Sequence, residues 1–281
     1  YAIMALGVMI TYKILDFPDL TVDSSFPLGA AVCTVAIINN IDPILSLVLA
    51  FVAGAIAGFV TGIIHVKLKV RDLLSGIITM TGLYSINYTL VGKSNMPIFT
   101  SNTIFKNDFI KNLPKELSPY SALIIIVIIV LVSKLALDFY LSTKAGFLLK
   151  AVGDNPIVIS SLAQDKGKVK IIGLTIANAF VSLAGGVMGQ HQRFFEISMG
   201  TGAIVIGLAS VIIGSTFLAG FSFFKLTSAV IVGSVIYKAC VAIAIELGVH
   251  PSLMKLITAI LFLIILVLGK SFGGKKVKVN A

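Results

Sequence analysis

The feature that most constrains this chain is a train of apolar runs, most long enough to cross a bilayer, divided by short polar breaks. They fall at 1–14, 24–40, 43–64, 73–92, 119–140, 170–190, 199–218, 226–246 and 253–269. A helix needs about 20 apolar residues to span the hydrocarbon core. The runs at 24–40 and 199–218 are interrupted by glycine and are expected to be broken or re-entrant. Composition agrees, since only 12% of the 281 residues are charged, against about 25% in an ordinary soluble domain. That excludes a water-facing surface, and 57% hydrophobic residues exclude disorder. The expected fold is all-α: a single polytopic membrane bundle over 1–281, with eight to nine transmembrane or re-entrant helices. The chain opens at Tyr1 inside an apolar run, so part of the first helix is expected to be missing. No cleavable signal peptide is visible.

A net charge of +10 in a soluble protein would suggest nucleic acid. Here the basic residues sit at membrane edges without interleaved aromatics, so lipid is the expected partner and nucleic acid is not. The loop His65–Asp72 carries Lys67, Lys69 and Arg71. The stretch 134–170 carries Lys134, Lys144, Lys150, Lys166, Lys168 and Lys170, and the tail carries Lys270, Lys275, Lys276 and Lys278. Alternating helices put all three on one side with Lys13 and Lys225. By the positive-inside rule that side is cytoplasmic, and the C-terminus with it. The loop 93–118, with Pro97 and Pro114, reads as an external cap or docking surface. Residues 142–170 read as a cytoplasmic platform of short amphipathic helices. Phe147, Leu148 and Ala151 make one apolar side and Ile157, Ile159 and Leu162 another. Asp154 or Asn155 is placed to cap the second helix, with Pro156 at its first position.

A shift of 177 residues reveals a repeat. Phe17-Pro18-Asp19-Leu20-Thr21-Val22-Asp23-Ser24 aligns with Phe194-Phe195-Glu196-Ile197-Ser198-Met199-Gly200-Thr201. Each copy follows one helix and opens another, the first towards the cytoplasm and the second towards the outside. Inverted repeats of this kind build many transporters. Asp19, Asp23 and Glu196 sit at the edges of apolar helices, where a carboxylate is costly unless solvated or paired. Ser24 and Thr201 are placed to cap the helices that follow. Helix N-termini suit a carboxylate or a hydroxyl-rich solute. The plainer reading is that Asp19 and Asp23 cap a cytoplasmic turn and bind nothing.

The fourth run is unusually polar, with Ser75, Thr79, Thr81, Tyr84, Ser85, Asn87 and Tyr88. Asn178 and Ser182 lie one turn apart in the sixth. Such groups bond between helices or line a path, and Tyr84 and Asn87 are spaced to share a face. The candidate path is therefore Asp19, Thr21, Asp23, Tyr84, Asn87, Glu196 and Ser198. Gly54, Gly58 and Gly62, like Gly185 and Gly189, recur every four residues and predict close helix packing.

Catalytic signals are missing. Cys33 and Cys240 lie in apolar runs, and His65, His191 and His250 at run ends, with no metal-ligand spacing. No serine elbow and no phosphate-binding lysine loop occurs. No metal, no bound cofactor and no enzymatic activity are expected of this chain.

Several segments resemble the permeases of bacterial ABC importers, in the branched-chain amino acid and ribose permease superfamily. Residues 15–30, with Leu15-Asp16-Phe17-Pro18-Asp19-Leu20-Thr21-Val22-Asp23 and Ser25-Phe26-Pro27-Leu28-Gly29-Ala30, are similar to one branch of it. That branch holds tryptophan/tyrosine and uncharacterised ABC-type permeases. Gly146, then Ala151-Val152-Gly153-Asp154-Asn155 through Ser161-Leu162, resembles the superfamily's coupling segment. The likeness continues through 170–174, 182–186 and 206–214. One departure is the run 220–225, less glycine-rich than the sugar-permease loop, which weakens a sugar assignment.

The resemblance implies a subunit of the bacterial inner membrane that pairs with a second copy around a central path. ATPase subunits holding ATP-Mg would dock on Gly146, Ala151, Gly153, Asp154, Asn155, Ser161 and Leu162. Disrupting Gly153 or Asn155 is expected to uncouple them and leave the membrane fold intact. An external solute-binding lipoprotein would deliver the solute, an aromatic amino acid by branch. Branched-chain amino acids, nucleosides and small sugars stay open. The alternative from the residues is an ion-coupled secondary transporter. It needs acids deep within the spans, and the edge positions of the acids count against it. An intramembrane enzyme has no supporting motif.

Overall fold

The computed structural model describes residues 1–107, 110, 118–154, 165–217 and 225–247, with 253, 256–260, 262–264 and 267 beyond them. Helix α1 (Ala2–Met9) runs on as a π-helical turn, Ile10–Ile14. Then come α2 (Val22–Ile38), α3 (Pro43–Val66) and α4 (Asp72–Val91). Next are α5 (Ser121–Ser142), α6 (Lys144–Asp154) and α7 (Lys166–Gln192). The last are α8 (Ala203–Phe217) and α9 (Leu226–Glu246). Two short antiparallel strands, β1 (Asn95–Pro97) and β2 (Phe194–Glu196), pair with Asn95 opposite Glu196. Among the described residues, α3, α5, α7, α9 and the stretch Ile197–Thr216 are long and apolar enough to cross a membrane. The chain is a multi-pass helical membrane bundle.

Local chemistry fixes the helix ends. Asp42 accepts hydrogen bonds from the Ile44 and Leu45 N–H groups at 2.8 and 3.2 Å, with Pro43 opening α3. Asp165 caps α7 in the same way through Gly167 and Lys168. Gly92 closes α4 in the left-handed region, at φ 74°.

Helix α7 is the axis of the bundle, and glycines let its neighbours reach its backbone. A Cβ on Gly54 or Gly58 would collide with Asn178 or Leu174 of α7, and one on Gly62 would crowd Ile171. On the other side Gly29 seats α2 on the Ser182 carbonyl, and Gly185 accepts the Phe26 carbonyl. Such approach replaces side-chain interlocking where lipid gives no hydrophobic drive.

Basic segments converge on one end of the bundle. Lys170 Nζ lies 3.4 Å from His65 Nε2, Gly153 meets the Ile14 carbonyl, and Lys225 pairs with Asp138. This is the basic end. At the opposite end Gln190 ties α7 to α3 and to the loop after β1. Its Nε2 donates to the Pro43 carbonyl and to Ser46 Oγ, both at 2.9 Å, and its Oε1 accepts from the Ile104 N–H at 3.0 Å.

The repeat extends to the order of the helices. Moved by 177 residues, Ile14 lands beside the end of α7, 22–38 lands over α8, and 43–66 lands over α9. Equivalent helices run in opposite senses. Helix α3 ends, and α7 and α9 begin, at the basic end. Helix α8 descends antiparallel to α9, with Gly214 against Ala229 and Gly233 against Ser210.

Three expectations change. Helix α2 is continuous rather than broken, although Pro27 lies inside it. The break falls in the other copy, as a 3₁₀ turn at Ile197–Gly200 and a left-handed Gly202 at φ 81° before α8. In α6 the buried face is Gly146, Leu149 and Val152, while Phe147 is 63% exposed. Gly146 packs on Tyr140 and Leu141, and Gly153 packs on Ile14. Small residues, not the largest apolar one, mark the inner side of α6. Helix α4 buries one narrow stripe, Ser75, Gly76, Thr79, Leu83, Asn87 and Val91. Tyr84 lies about 100° round from Leu83 and is 55% exposed, so it and Asn87 do not share an environment.

Candidate functional site

Both copies of the repeat fold inwards. The first leaves the π-helical turn at the basic end and climbs back before α2 begins. Asp19 is 1% exposed, not at an edge. Its Oδ1 accepts from the Thr21 N–H at 2.9 Å, and its Oδ2 from Asn178 Nδ2 at 2.7 Å. Asn178 Oδ1 accepts from Ser25 Oγ at 2.7 Å. Thr21 Oγ1 and Thr61 Oγ1 share a hydrogen bond of 3.0 Å. The backbone at Leu20 lies against Gly76 of α4. This turn is thus bonded or packed to α3, α4 and α7 at once. It reaches about three turns along α7, counted from Lys166 to Asn178. Among the described residues no cation joins Asp19, so its charge is met by neutral donors alone.

The second copy enters from the opposite end, through β2. Its Gly200 rests on the Asp23 carbonyl and on Pro27 Cδ. Asp23 and Gly200 are equivalent positions under the 177-residue shift, so the two copies meet at matching residues. The contact has a cause in α2. Pro27 has no N–H, so the carbonyl one turn back, that of Asp23, lacks its helical donor. A glycine is the residue that fits beside it.

Asp23 also completes α8. Its Oδ2 accepts from the Gly202 N–H at 3.0 Å, and its Oδ1 from the Ile204 N–H at 2.9 Å. A helix N-terminus attracts a carboxylate. In this arrangement the carboxylate comes from the protein itself, so Asp23 is a cap for a helix 179 residues away.

The candidate path residues therefore divide. Asp19, Thr21 and Asn87 are buried, and Asp23 is partly so. Asn87 Nδ2 donates to the Ser24 carbonyl at 3.0 Å. These four hold the turns in place. Tyr84, Glu196 and Ser198 are exposed, with Ser198 Oγ donating to Glu196 Oε1. Strand pairing brings Glu196 beside Asn95, just past the end of α4. The exposed set follows the open face of α4 towards the end opposite the lysines.

Placement of the acids corrects an argument from the sequence. Edge positions counted against an ion-coupled transporter, and Asp19 does not sit at an edge. Each of its oxygens accepts one hydrogen bond from a protein donor. Gln190 and Thr61 organise the bundle without having stood out, although both are polar residues inside apolar runs. Of the coupling residues, Gly146, Ala151, Gly153 and Asp154 fall on α6. Gly153 touches the end of α1, so altering it disturbs packing, against the expectation of an intact fold. Asn155, Ser161 and Leu162 lie outside the described residues, as do Pro114, Pro156, Ile157, Ile159, His250, the run 220–224 and the tail lysines.

Comparison with known proteins bears on what this bundle is. A tyrosine transport system permease protein of Clostridioides difficile is 43% identical over 268 residues, covering 95% of this chain and 87% of that protein. The ribose import permease RbsC of Escherichia coli is 27% identical over 222 residues, covering 78% of this chain and 67% of its own length. A probable branched-chain amino acid transport permease, LivH, of Methanocaldococcus jannaschii is 28% identical over 213 residues, 73% of this chain and 66% of that one. No solved structure matches this chain. The family described as the permease component of the branched-chain amino acid transport system matches residues 1–266. A helical bundle built from two inverted copies, matched along nearly its whole length, thus belongs to that family of permease components of ABC-type transport systems.

Proposed function

We propose that this chain forms the path for an aromatic amino acid in an ATP-driven importer. The observation that carries the reading is its 43% identity to a protein named as a tyrosine transport permease. In this reading two copies pair in a bacterial inner membrane, with the basic end and the C-terminus in the cytoplasm. Separate ATPase subunits bind and hydrolyse ATP-Mg, and an external binding protein delivers the solute. The chain itself catalyses nothing.

The open face of α4 supports a place for the path. Thr81, Tyr84, Ser85 and Tyr88 are exposed there. Aromatic and hydroxyl groups on one face suit a solute with a ring and polar ends. Glu196 and Ser198 then stand at the external mouth, where a solute ammonium group would meet a carboxylate. On α6 the exposed Lys144 and Ala145 offer a surface to an ATPase, since Gly146 and Gly153 face inwards.

The test is reconstitution of the permease with its ATPase subunits and binding protein in proteoliposomes. ATP-dependent uptake of labelled tyrosine, competed by tryptophan or phenylalanine and not by leucine or ribose, is the expected result. Uptake driven by an ion gradient without the ATPases would overturn the mechanism. Preference for leucine or ribose would overturn the solute.

A further inference from the structure

The strongest feature outside the path is a cavity of about 510 Å³ at the basic end. It opens where α1, α5, α6 and α9 meet. Its rim carries Lys13, Lys150 and Lys225, and its walls include Leu141 and Phe147. Among the described residues one acid, Asp138, faces the same space, and its oxygens are already engaged. Oδ2 pairs with Lys134 at 2.9 Å and with Lys225 at 3.5 Å, and Oδ1 accepts from Thr227 Oγ1 at 2.6 Å. Four lysines thus surround one carboxylate. Lys13 has no hydrogen-bond or ion-pair partner among the described residues. Lys150 has the Leu141 carbonyl at 3.3 Å and the Phe147 ring at 5.5 Å, neither of which is a counter-charge. The N-terminus of α9 opens at Lys225, which makes no side-chain cap, so the positive end of that helix adds to the field.

Two further facts narrow the ligand. The cavity lies at the ends of α5 and α9, two of the helices long and apolar enough to cross a membrane. On the same side of α5 as Asp138, three and seven residues back, the side chains of Leu135 and Leu131 are exposed. Apolar side chains of α5 thus stand on the side of the helix that carries the cationic pocket. A free anion would use the pocket alone, whereas an amphiphile would use both. Basic pockets between helices on the positive side of a membrane protein are suited to anionic lipid headgroups.

We infer that this pocket binds the headgroup of an anionic phospholipid, with its phosphate among Lys13, Lys150 and Lys225 and its chains along the open face of α5. The lipid would bridge α6 to the ends of α1 and α9, joining a short helix at the membrane surface to the bundle.

Native mass spectrometry of the purified full-length permease, with phosphatidylglycerol or phosphatidylcholine added, tests this. Wild type is expected to retain phosphatidylglycerol preferentially. Lys13→Gln and Lys150→Gln, both at exposed positions, should each weaken that retention by about fivefold, and the triple change with Lys225→Gln on the order of a hundredfold. The triple arginine variant should retain the preference. Equal retention of the two lipids by wild type would overturn the proposal, as would an unchanged preference in the single glutamine variants. Inorganic phosphate displacing the lipid at equal concentration would mean that the pocket takes a free anion, and would overturn it too. None of these readouts depends on the solute or on ATP.

Discussion

The two copies of the repeat share a pattern and one local bond, and differ in what surrounds them. In each, an acid is bonded to the hydroxyl residue two places on: Asp19 to the Thr21 N–H, and Glu196 to Ser198 Oγ. In each, the turn opens a helix. Yet the first copy is sealed among α3, α4 and α7, and the second is paired to β1 at the surface with Glu196 exposed. Sequence likeness between repeats therefore conserves the course of the backbone without conserving the solvent around it. A buried carboxylate must have its bonds supplied by protein, whereas an exposed one is free to meet a solute. The first turn is the enclosed one of the pair and the second is the exposed one.

The contrast breaks most completely at the seat of α2. Gly185→Val puts bulk onto the Phe26 carbonyl and is expected to cost about 3 kcal/mol. Loss of monodisperse protein in detergent, read by size-exclusion chromatography, checks it. Normal elution and melting would show that the first turn is not held by this contact.

Next comes Asp19 itself. Asp19→Ala leaves the Thr21 N–H without its side-chain acceptor and the Asn178 amide with the Leu174 carbonyl alone, an expected loss of about 2–3 kcal/mol. Asp19→Asn should lose about 1 kcal/mol, because Asn178 can turn its amide and Ser25 can rotate its hydroxyl. Thermal melting in detergent separates the two, and equal melting points would show that the carboxylate is not the keystone of that network.

Asp23→Ala removes both acceptors at the start of α8. Its expected cost is about 1 kcal/mol, that of a lost helix cap. Hydrogen exchange should rise at Gly202 and Ile204 and stay level in α7. A uniform rise would instead mean global loosening.

The smallest effect on stability belongs to Glu196→Gln, expected within about 0.5 kcal/mol of wild type. Uptake by the reconstituted importer should fall several-fold all the same. A variant that melts early would remove the distinction between the two turns. One that transports normally would take Glu196 out of the path.

Spans, the basic end and the repeat were legible because each rests on a property written into every residue: hydropathy, charge or a matched order. The burial of Asp19 was not. At the edge of an apolar run, a chain that turns outward and one that folds back have the same local sequence, and only the partner at Asn178 decides between them. Phe147 misled for a related reason. In a chain with lipid on most sides, an apolar side chain does not tell the core from the periphery. Glycine does better, because its contacts are with backbone: Gly146 and Gly153 mark the inner face of α6 that hydropathy missed. The polar fourth helix was recognised as unusual, but its residues serve two purposes. Asn87 fastens α2, while Tyr84 faces outward, and a three-residue spacing does not separate them.

The bond between Asp19 and Asn178 also sets a schedule for making the protein. The partners are 159 residues apart. At roughly 5–20 residues per second, the carboxylate leaves the ribosome roughly 8–30 seconds before its amide exists. Through that interval α1 and α2 have neither the donor nor the helix they finally rest on. Until α7 arrives, Asp19 is without that partner and has to be hydrated or protonated. Assembly of this bundle is completed from its middle, after synthesis has moved well past its beginning.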